Sequence, residues 1–259
     1  MAIARPLKCA ETWAGNQGTS SAVDLPGLRA WVHSTPFGTG DAGGDVHYVS
    51  VCPSCIVSRI ALADVSGHGR AVVSLSEKLR ELMQRYLTAL EQSSLMRDLN
   101  DAVRLELDGV HYATMVAVGF HNRRGLLVMT NAGHPPGLWY RAHADEWSWF
   151  EPQRAEKSLG VRGTPLGLLP DASYDRMTVK PGPGDLVVLY SDGVSEATNP
   201  AGTELGRDDL MALARTLDRG SAEEFGRQLV AAVTEFRAGS VPEDDETIIV
   251  LQRRSDEQE

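Results

Sequence analysis

The chain has 259 residues, 42% hydrophobic and 23% charged, with 35 acidic against 25 basic side chains and a formal charge of −10. That composition excludes wholesale disorder, and at this length one sheet-built domain with a core needing no disulfide staple is the economical reading. The acid excess argues against nucleic acid, whose phosphates are held chiefly by Lys and Arg, and no run approaches the ~20 apolar residues of a membrane span.

Residues 1–27, rich in Gly, Ser and Thr, read as a flexible lead-in to a domain over 28–252, and the polar residues 253–259 as a disordered tail. Short β-branched runs bounded by turn residues predict strands at Leu28–His33, Val46–Val51 and Ile56–Ala63. Leu75, Leu79, Leu82, Tyr86 and Leu90 form one stripe of a helix over Ala71–Leu90. A second helix, capped by Ser93 or Ser94, carries Leu95, Leu99, Ala102 and Val103 on one face. Strand patterns return at Ala113–Phe120, Leu126–Thr130, Leu138–Arg141, Trp147–Phe150, Arg176–Val179 and Leu186–Tyr190. Helices over Arg207–Leu217 and Ala222–Phe236 and a last strand at Thr247–Leu251 complete the series. Runs of strands separated by helix pairs predict an α+β fold with a helical layer on each outer face of packed sheets.

Four aspartates fall at predicted strand ends beside glycine or a second acid: Asp45 after Gly43-Gly44, Asp64 before Val65-Ser-Gly67, Asp192 before Gly193, and Asp244 in Asp244-Asp245. A strand end holds a carboxylate rigidly at the rim of a sheet, and a neighbouring glycine lets a ligand or other backbone come close. Carboxylates converging without arginine partners repel one another and resist ionisation. Hard divalent cations such as Mg²⁺ and Mn²⁺ relieve that repulsion and prefer oxygen ligands. Two such ions about 4 Å apart could generate a hydroxide nucleophile and hold a phosphoryl group for in-line attack. Asp beside Gly is also ordinary turn vocabulary, so any one of these residues alone carries little.

In chain order, the segments Gly43-Gly-Asp45, Ala63-Asp-Val-Ser-Gly-His-Gly69, Tyr112-Ala-Thr-Met115 and Asn131-Ala-Gly-His-Pro-Pro136 are followed by Thr164-Pro-Leu-Gly167, Gly184-Asp-Leu-Val-Val-Leu-Tyr-Ser-Asp-Gly-Val194 and Asp244-Asp-Glu-Thr-Ile-Ile-Val250. Together they resemble the PPM-type metal-dependent protein serine/threonine phosphatases, and within them the bacterial SpoIIE-like branch that controls sigma-factor regulators. The resemblance implies a four-layer αββα sandwich with two Mn²⁺ or Mg²⁺ ions at one end of the sheets. It implies Asp45, Asp64, Asp192 and Asp244 as the metal-ligand carboxylates, with the backbone carbonyl of Val65 as a further ligand. Asp244 is preferred to Asp245 because the family often has an amide at the second position. The implied activity is hydrolysis of phosphoserine or phosphothreonine by a metal-activated water. The implied substrate is a phosphorylated regulatory protein, anti-anti-sigma-factor-like or receiver-linked.

One departure is Tyr48, where the branch often has a second acid three residues after Asp45. It is the one feature favouring the alternative of a catalytically weak, phosphatase-fold scaffold that binds a signalling partner. A hydrolase of small phosphorylated metabolites would use the same metals. His68, four residues from Asp64, is placed either to donate a proton to the leaving oxygen or to tie a loop to backbone. His134, in Ala-Gly-His-Pro-Pro, reads as a turn-fixing residue. Cys52 and Cys55 have CxxC spacing, but with Cys9 distant in sequence they read as an inert hairpin turn. Three cysteines and no apolar leader suit a cytoplasmic protein. The aromatic cluster Trp139, Tyr140, Trp147, Trp149 and Phe150 reads mainly as packing, with partner docking as the minority reading. The Leu75–Leu90 stripe reads as core, leaving a homodimer open.

Overall fold

The computed structural model describes residues 4–38, 40–67, 70–86, 92–106, 110–151 and 163–255. Two sheets lie between two helical layers. In the first sheet, β1 (Arg5–Pro6), β3 (Thr19–Leu25), β4 (Leu28–Thr35), β13 (Glu246–Arg253), β12 (Leu186–Tyr190), β9 (Gly137–Arg141) and β10 (Glu146–Phe150) lie in that order. The second runs β11 (Arg176–Val179), β8 (Leu126–Ala132), β7 (Ala113–His121), β6 (Val57–Val65), β5 (Ala42–Val51) and β2 (Thr12–Gln17). All pairings are antiparallel except β1 with β3. The α+β reading and its four layers hold.

Strand alternation assigns each strand two jobs. In β5, Val49 and Val51 enter the layer between the sheets, with Ile60 and Leu62 of β6 and Ile249 and Leu251 of β13. The alternate positions Val46, Tyr48, Ala61 and Ala63 face the outer layer of α1 (Arg70–Tyr86) and α2 (Gln92–Glu106). There they meet Leu75, Leu79 and Leu82 of the predicted stripe, and Leu95, Leu99, Ala102 and Val103 of the second helix. On the other side, α4 (Gly206–Thr216) and α5 (Ala222–Arg237) cover the first sheet. A short helix, α3 (Asp192–Ser195), follows β12.

The α5 helix shows how local sequence fixes an element. Ser221 accepts from the Glu224 N–H, and the Glu224 side chain accepts from the Ser221 N–H, a capping box worth about 1 kcal/mol. Phe225, Leu229 and Val233, four residues apart, are buried in a stripe, each contributing roughly 1.5–3 kcal/mol of burial. The helix stops where Ala238 turns left-handed at φ 47°.

Four expectations need correction. Residues 4–27 of the expected lead-in 1–27 are not loose: β2 closes the edge of one sheet and β3 sits inside the other, with Leu7, Val23 and Leu25 buried. Their Gly, Ser and Thr content hid a half-solvated edge whose apolar alternation is only two residues deep. Arg253 is not tail: it ends β13, donates to the Gly27 carbonyl at 2.9 Å and lies over the Phe120 ring; residues 256–259 fall outside the described residues. Ser93 and Ser94 lie within α2, which already includes Gln92, rather than ahead of it as caps. Cys9 is not remote from the CxxC turn but disulfide-bonded to Cys55, because Ala10 N–H donates to the Val51 carbonyl at 3.0 Å and lays this segment beside the β5–β6 turn.

The aromatic cluster packs as expected. Trp147 stacks on Phe225 of α5, Trp139 meets Phe150 edge-on, Arg207 covers the half-buried Trp149, and none of the five is exposed. Among the described residues no helix is long and apolar enough to cross a membrane.

Candidate metal centre

At one end of the inter-sheet layer the apolar filling gives way to polar side chains. The register pairs Asp45 of β5 directly with Asp64 of β6, and Asp64 with Thr114 of β7. Like charges opposite each other across a ladder destabilise it. Asp45 is buried, and neither of its carboxylate oxygens has a hydrogen-bond partner. Opposite, Ser34, Ser191 and Thr247 form a hydroxyl row: Ser34 Oγ and Thr247 Oγ1 are 2.9 Å apart, and Ser191 Oγ accepts from the Thr247 N–H at 2.9 Å.

The charges behave as a mutually repelling group. Burial, then the charge of Asp64, raises Asp45 well above the ordinary carboxylate range, with the nearby Thr247 and Ser191 hydroxyls acting the other way. Asp64 is pushed up to about 7 by burial, then by Asp192, Asp244, Asp245 and Glu196. Burial raises Asp192, offset by N–H donors that include Gly193. Glu196, at the end of α3, is raised by burial, then by Asp192, Glu204 and Asp244. Asp45, Asp64, Asp192 and Asp244 therefore share one electrostatic environment, and Glu196, which sequence reasoning missed, belongs to it. Its signal was present: four residues on from Asp192, it lies one helical turn away.

The adjacent pair Asp244-Asp245 divides its labour. Asp245 is buried, and its carboxylate accepts from Phe37 N–H at 2.6 Å, Gly44 N–H at 2.5 Å and Asp45 N–H at 3.3 Å. It thereby ties the start of β13 in one sheet to the Gly43–Asp45 strand start in the other. Asp244 is exposed, and its charge acts on Asp64 and Glu196. Asp244 Oδ1 accepts from the Asp245 N–H at 2.8 Å, whereas both oxygens of Asp245 are turned to the backbone N–H groups of Phe37 and Gly44.

Two glycines allow this approach. A Cβ on Gly43 would overlap the Asp245 carboxylate, and one on Gly193 would overlap the Asp245 carbonyl oxygen. The Gly43 carbonyl is held by Ser76 Oγ of α1 at 2.8 Å and Asn16 Nδ2 of β2 at 3.3 Å. Asn16 was hidden in the supposed lead-in. The Val65 carbonyl lies 3.3 Å, and Val72 Cγ1 2.9 Å, from where a Cβ of Gly44 would stand.

His68 lies outside the described residues. His134 is buried; its Nδ1 is 2.8 Å from Thr114 Oγ1, and Asn131 brackets its backbone at 2.9 and 2.8 Å. Burial holds its pKa down to about 3, so the ring is neutral and serves as a turn-fixing element. Tyr48 is fully buried against the α1–α2 layer, on the opposite face of β5 from Asp45. A side chain at this position is directed away from the carboxylates.

The SpoIIE family, stage II sporulation protein E, matches residues 58–254. The chain belongs to this family. The matched span contains Asp64, Asp192 and Asp244, whereas Asp45 precedes it. The phosphoserine phosphatase RsbU of Bacillus subtilis is 27% identical over 197 residues, 76% of this chain and 56% of RsbU, so the chain spans little more than half of that relative. The SiaA-PP2C domain of Pseudomonas aeruginosa shares the fold at a TM-score of 0.71 and 18% identity, over 88% of this chain and 85% of that one. RsbX, solved in complex with magnesium, superposes with a TM-score of 0.64 at 14% identity, over 90% of this chain and 99% of that one. The PPM-type, SpoIIE-like resemblance and the sandwich it implied are thus both met.

Proposed function

We propose that this SpoIIE-family domain is a divalent-cation-dependent protein serine/threonine phosphatase of the cytoplasm. Its substrate is a phosphorylated regulatory protein of the anti-anti-sigma-factor or receiver-linked kind. The observation that carries the reading is the buried Asp45 carboxylate, both oxygens without a partner, directly opposite Asp64. A buried charge in that state is costly unless a cation completes it. Phosphoserine phosphatase activity in RsbU and magnesium in RsbX support the same assignment.

Asp45, Asp64, the Val65 carbonyl, Asp192 and Asp244 would hold two Mn²⁺ or Mg²⁺ ions. Among the described residues no three such side chains close on a single point. Bound there, the ions would polarise the phosphoryl group and make water acidic enough to act as nucleophile. The chain's own part is positioning: the β5–β6 ladder fixes Asp45 against Asp64, Asp245 locks the strand start from the other sheet, and α3 presents Asp192 and Glu196 together. Tyr48 lends no support to the scaffold alternative, because it lies on the other face of β5.

Hydrolysis of an aryl phosphate, measured with Mn²⁺ and with EDTA on the wild type and on Asp192→Asn, tests the proposal. Activity that requires Mn²⁺ and falls at least ~100-fold in the variant is expected. A well-folded wild type inactive with every divalent cation, on the aryl ester and on phosphoserine peptides alike, would sink it.

A further inference from the structure

At the end of β5 and β6 remote from the carboxylates, the fold gathers all three cysteines of the chain. Cys9 and Cys55 are disulfide-bonded with their Cα atoms 5.1 Å apart, and Cys52 is a free thiol three residues from Cys55. We infer that this corner is a thiol–disulfide exchange site, in which Cys52 attacks the Cys55 sulfur and moves the bond from Cys9–Cys55 to Cys52–Cys55.

Three observations support the exchange. The first is reach. Cys55 N–H donates to the Cys52 carbonyl at 2.8 Å, closing a four-residue turn. Such a turn brings its end Cα atoms within about 7 Å, overlapping the roughly 4.4–6.8 Å span a disulfide requires. The Cys52 sulfur itself folds back over the turn, accepting from Ile56 N–H at 3.3 Å and Val57 N–H at 3.2 Å. Ile56 is bonded directly to Cys55, so the nucleophile already lies against the residue it attacks.

The second is activation. Ser54 Oγ lies 3.1 Å from the same sulfur. Partial burial raises the Cys52 thiol, but hydrogen bonds from Ser54, Val57 and Ile56 outweigh it and hold the group below the usual thiol range. The thiolate is the attacking species in exchange.

The third is retention of the leaving group. Ala10 N–H to Val51 carbonyl and Val51 N–H to Glu11 carbonyl, both 3.0 Å, keep Cys9 beside the turn whichever bond is present. Cys9 is exposed, and its thiolate departs into solvent contact.

The step balances without an external oxidant. The Cys52 thiolate forms a bond to Cys55 Sγ, the Cys9–Cys55 bond breaks, and its electron pair leaves on Cys9, which takes up a proton. One disulfide and one thiol are present before and after. In a reducing compartment, disulfides are mostly transient and redox-sensing, which is the behaviour such a corner provides.

The chain's tryptic sites give a direct readout. Cleavage at Lys8, Arg29 and Arg59 puts Cys9 in one peptide and both Cys52 and Cys55 in another. The folded protein is equilibrated in a glutathione redox buffer, desalted, quenched in acid, alkylated under denaturing conditions, digested and mapped by mass spectrometry. The wild type is expected to show both the two-peptide cross-link with label on Cys52 and the internal bond with label on Cys9. Cys52→Ser should retain only the two-peptide cross-link. Cys9→Ser should form the internal Cys52–Cys55 bond. Label confined to Cys52 in the wild type would overturn the inference, as would a stable glutathione adduct on Cys52 of Cys9→Ser. So would three thiols that stay reduced under oxidising poise, or that are masked by stoichiometric zinc on metal analysis.

Discussion

The inter-sheet layer has two ends built from the same strands, and they are finished in opposite ways. Towards one end, β5, β6 and β13 contribute Val51, Ile60 and Leu251, and Arg253 closes the edge over Phe120. Towards the other, the same faces of the same strands present Asp45, Asp64 and Thr247. The first end has apolar side chains packed on one another apart from the buried Ser58 hydroxyl; the second gathers carboxylates pushed out of their normal range, among them Asp45 with neither oxygen partnered. Alternation decides which face of a strand is buried but is silent on which end is active. Several carboxylates at core-facing positions, where the period demands apolar residues, mark the candidate metal-binding end, whereas the single buried Ser58 at the other end does not.

That comparison also explains what could be read in the sequence. Among the described residues, most strands and the four long helices were legible because their apolar period is strong, as in Leu75, Leu79 and Leu82. The four aspartates were legible because they interrupt it beside glycine or a second acid. Asn16 and β2 were not, since in this edge strand the one buried side chain is the polar Asn16 and little apolar period remains. The role of Asp245 could not be read either, for it depends on backbone N–H groups about 200 residues away in the chain. The Cys9–Cys55 contact is non-local in the same sense.

The largest effects should come from adding a methyl group at each kind of region. In Gly43→Ala the new Cβ would overlap the Asp245 carboxylate; in Gly226→Ala it would overlap the Trp31 ring beneath α5. Each should lose about 2–3 kcal/mol in chemical denaturation. Only Gly43→Ala should also weaken Mn²⁺ binding by calorimetry, at least ~10-fold by displacing Asp45. Equal Mn²⁺ affinity in the two variants would mean the clamp does not position the site.

A gentler cut at the same link is Asp245→Asn. The amide keeps one acceptor where the carboxylate has two, and three N–H groups depend on them. Loss of a charge-assisted hydrogen bond of this kind costs about 1.5–3 kcal/mol. A thermal midpoint lower by several degrees, with Mn²⁺ affinity reduced but measurable, is expected. An unchanged midpoint would show that one oxygen suffices.

Neutralising the orphan charge should act in the opposite sense. Without divalent cations, Asp45→Asn removes repulsion with Asp64 and should raise stability by about 1 kcal/mol, seen as a higher midpoint in EDTA. The stabilisation that Mn²⁺ gives the wild type should be lost, since binding only the folded state raises stability by mass action. A variant less stable than wild type in EDTA would mean that Asp45 is well satisfied without a cation.

The smallest effect is expected at Tyr48, where the branch pattern and this chain differ. Its ring is fully buried against α1 and α2 and its hydroxyl has no hydrogen-bond partner, so the oxygen is a cost rather than a contact. Tyr48→Phe removes that oxygen without opening a cavity and should leave stability equal or up to about 1 kcal/mol higher. Because β5 turns this side chain to the helical layer and Asp45 to the inter-sheet layer, Mn²⁺ affinity should not move. A fall in affinity in Tyr48→Phe would show that the two faces of β5 are coupled through the strand. The division between a packed face and a reactive end would then have to be redrawn at this residue.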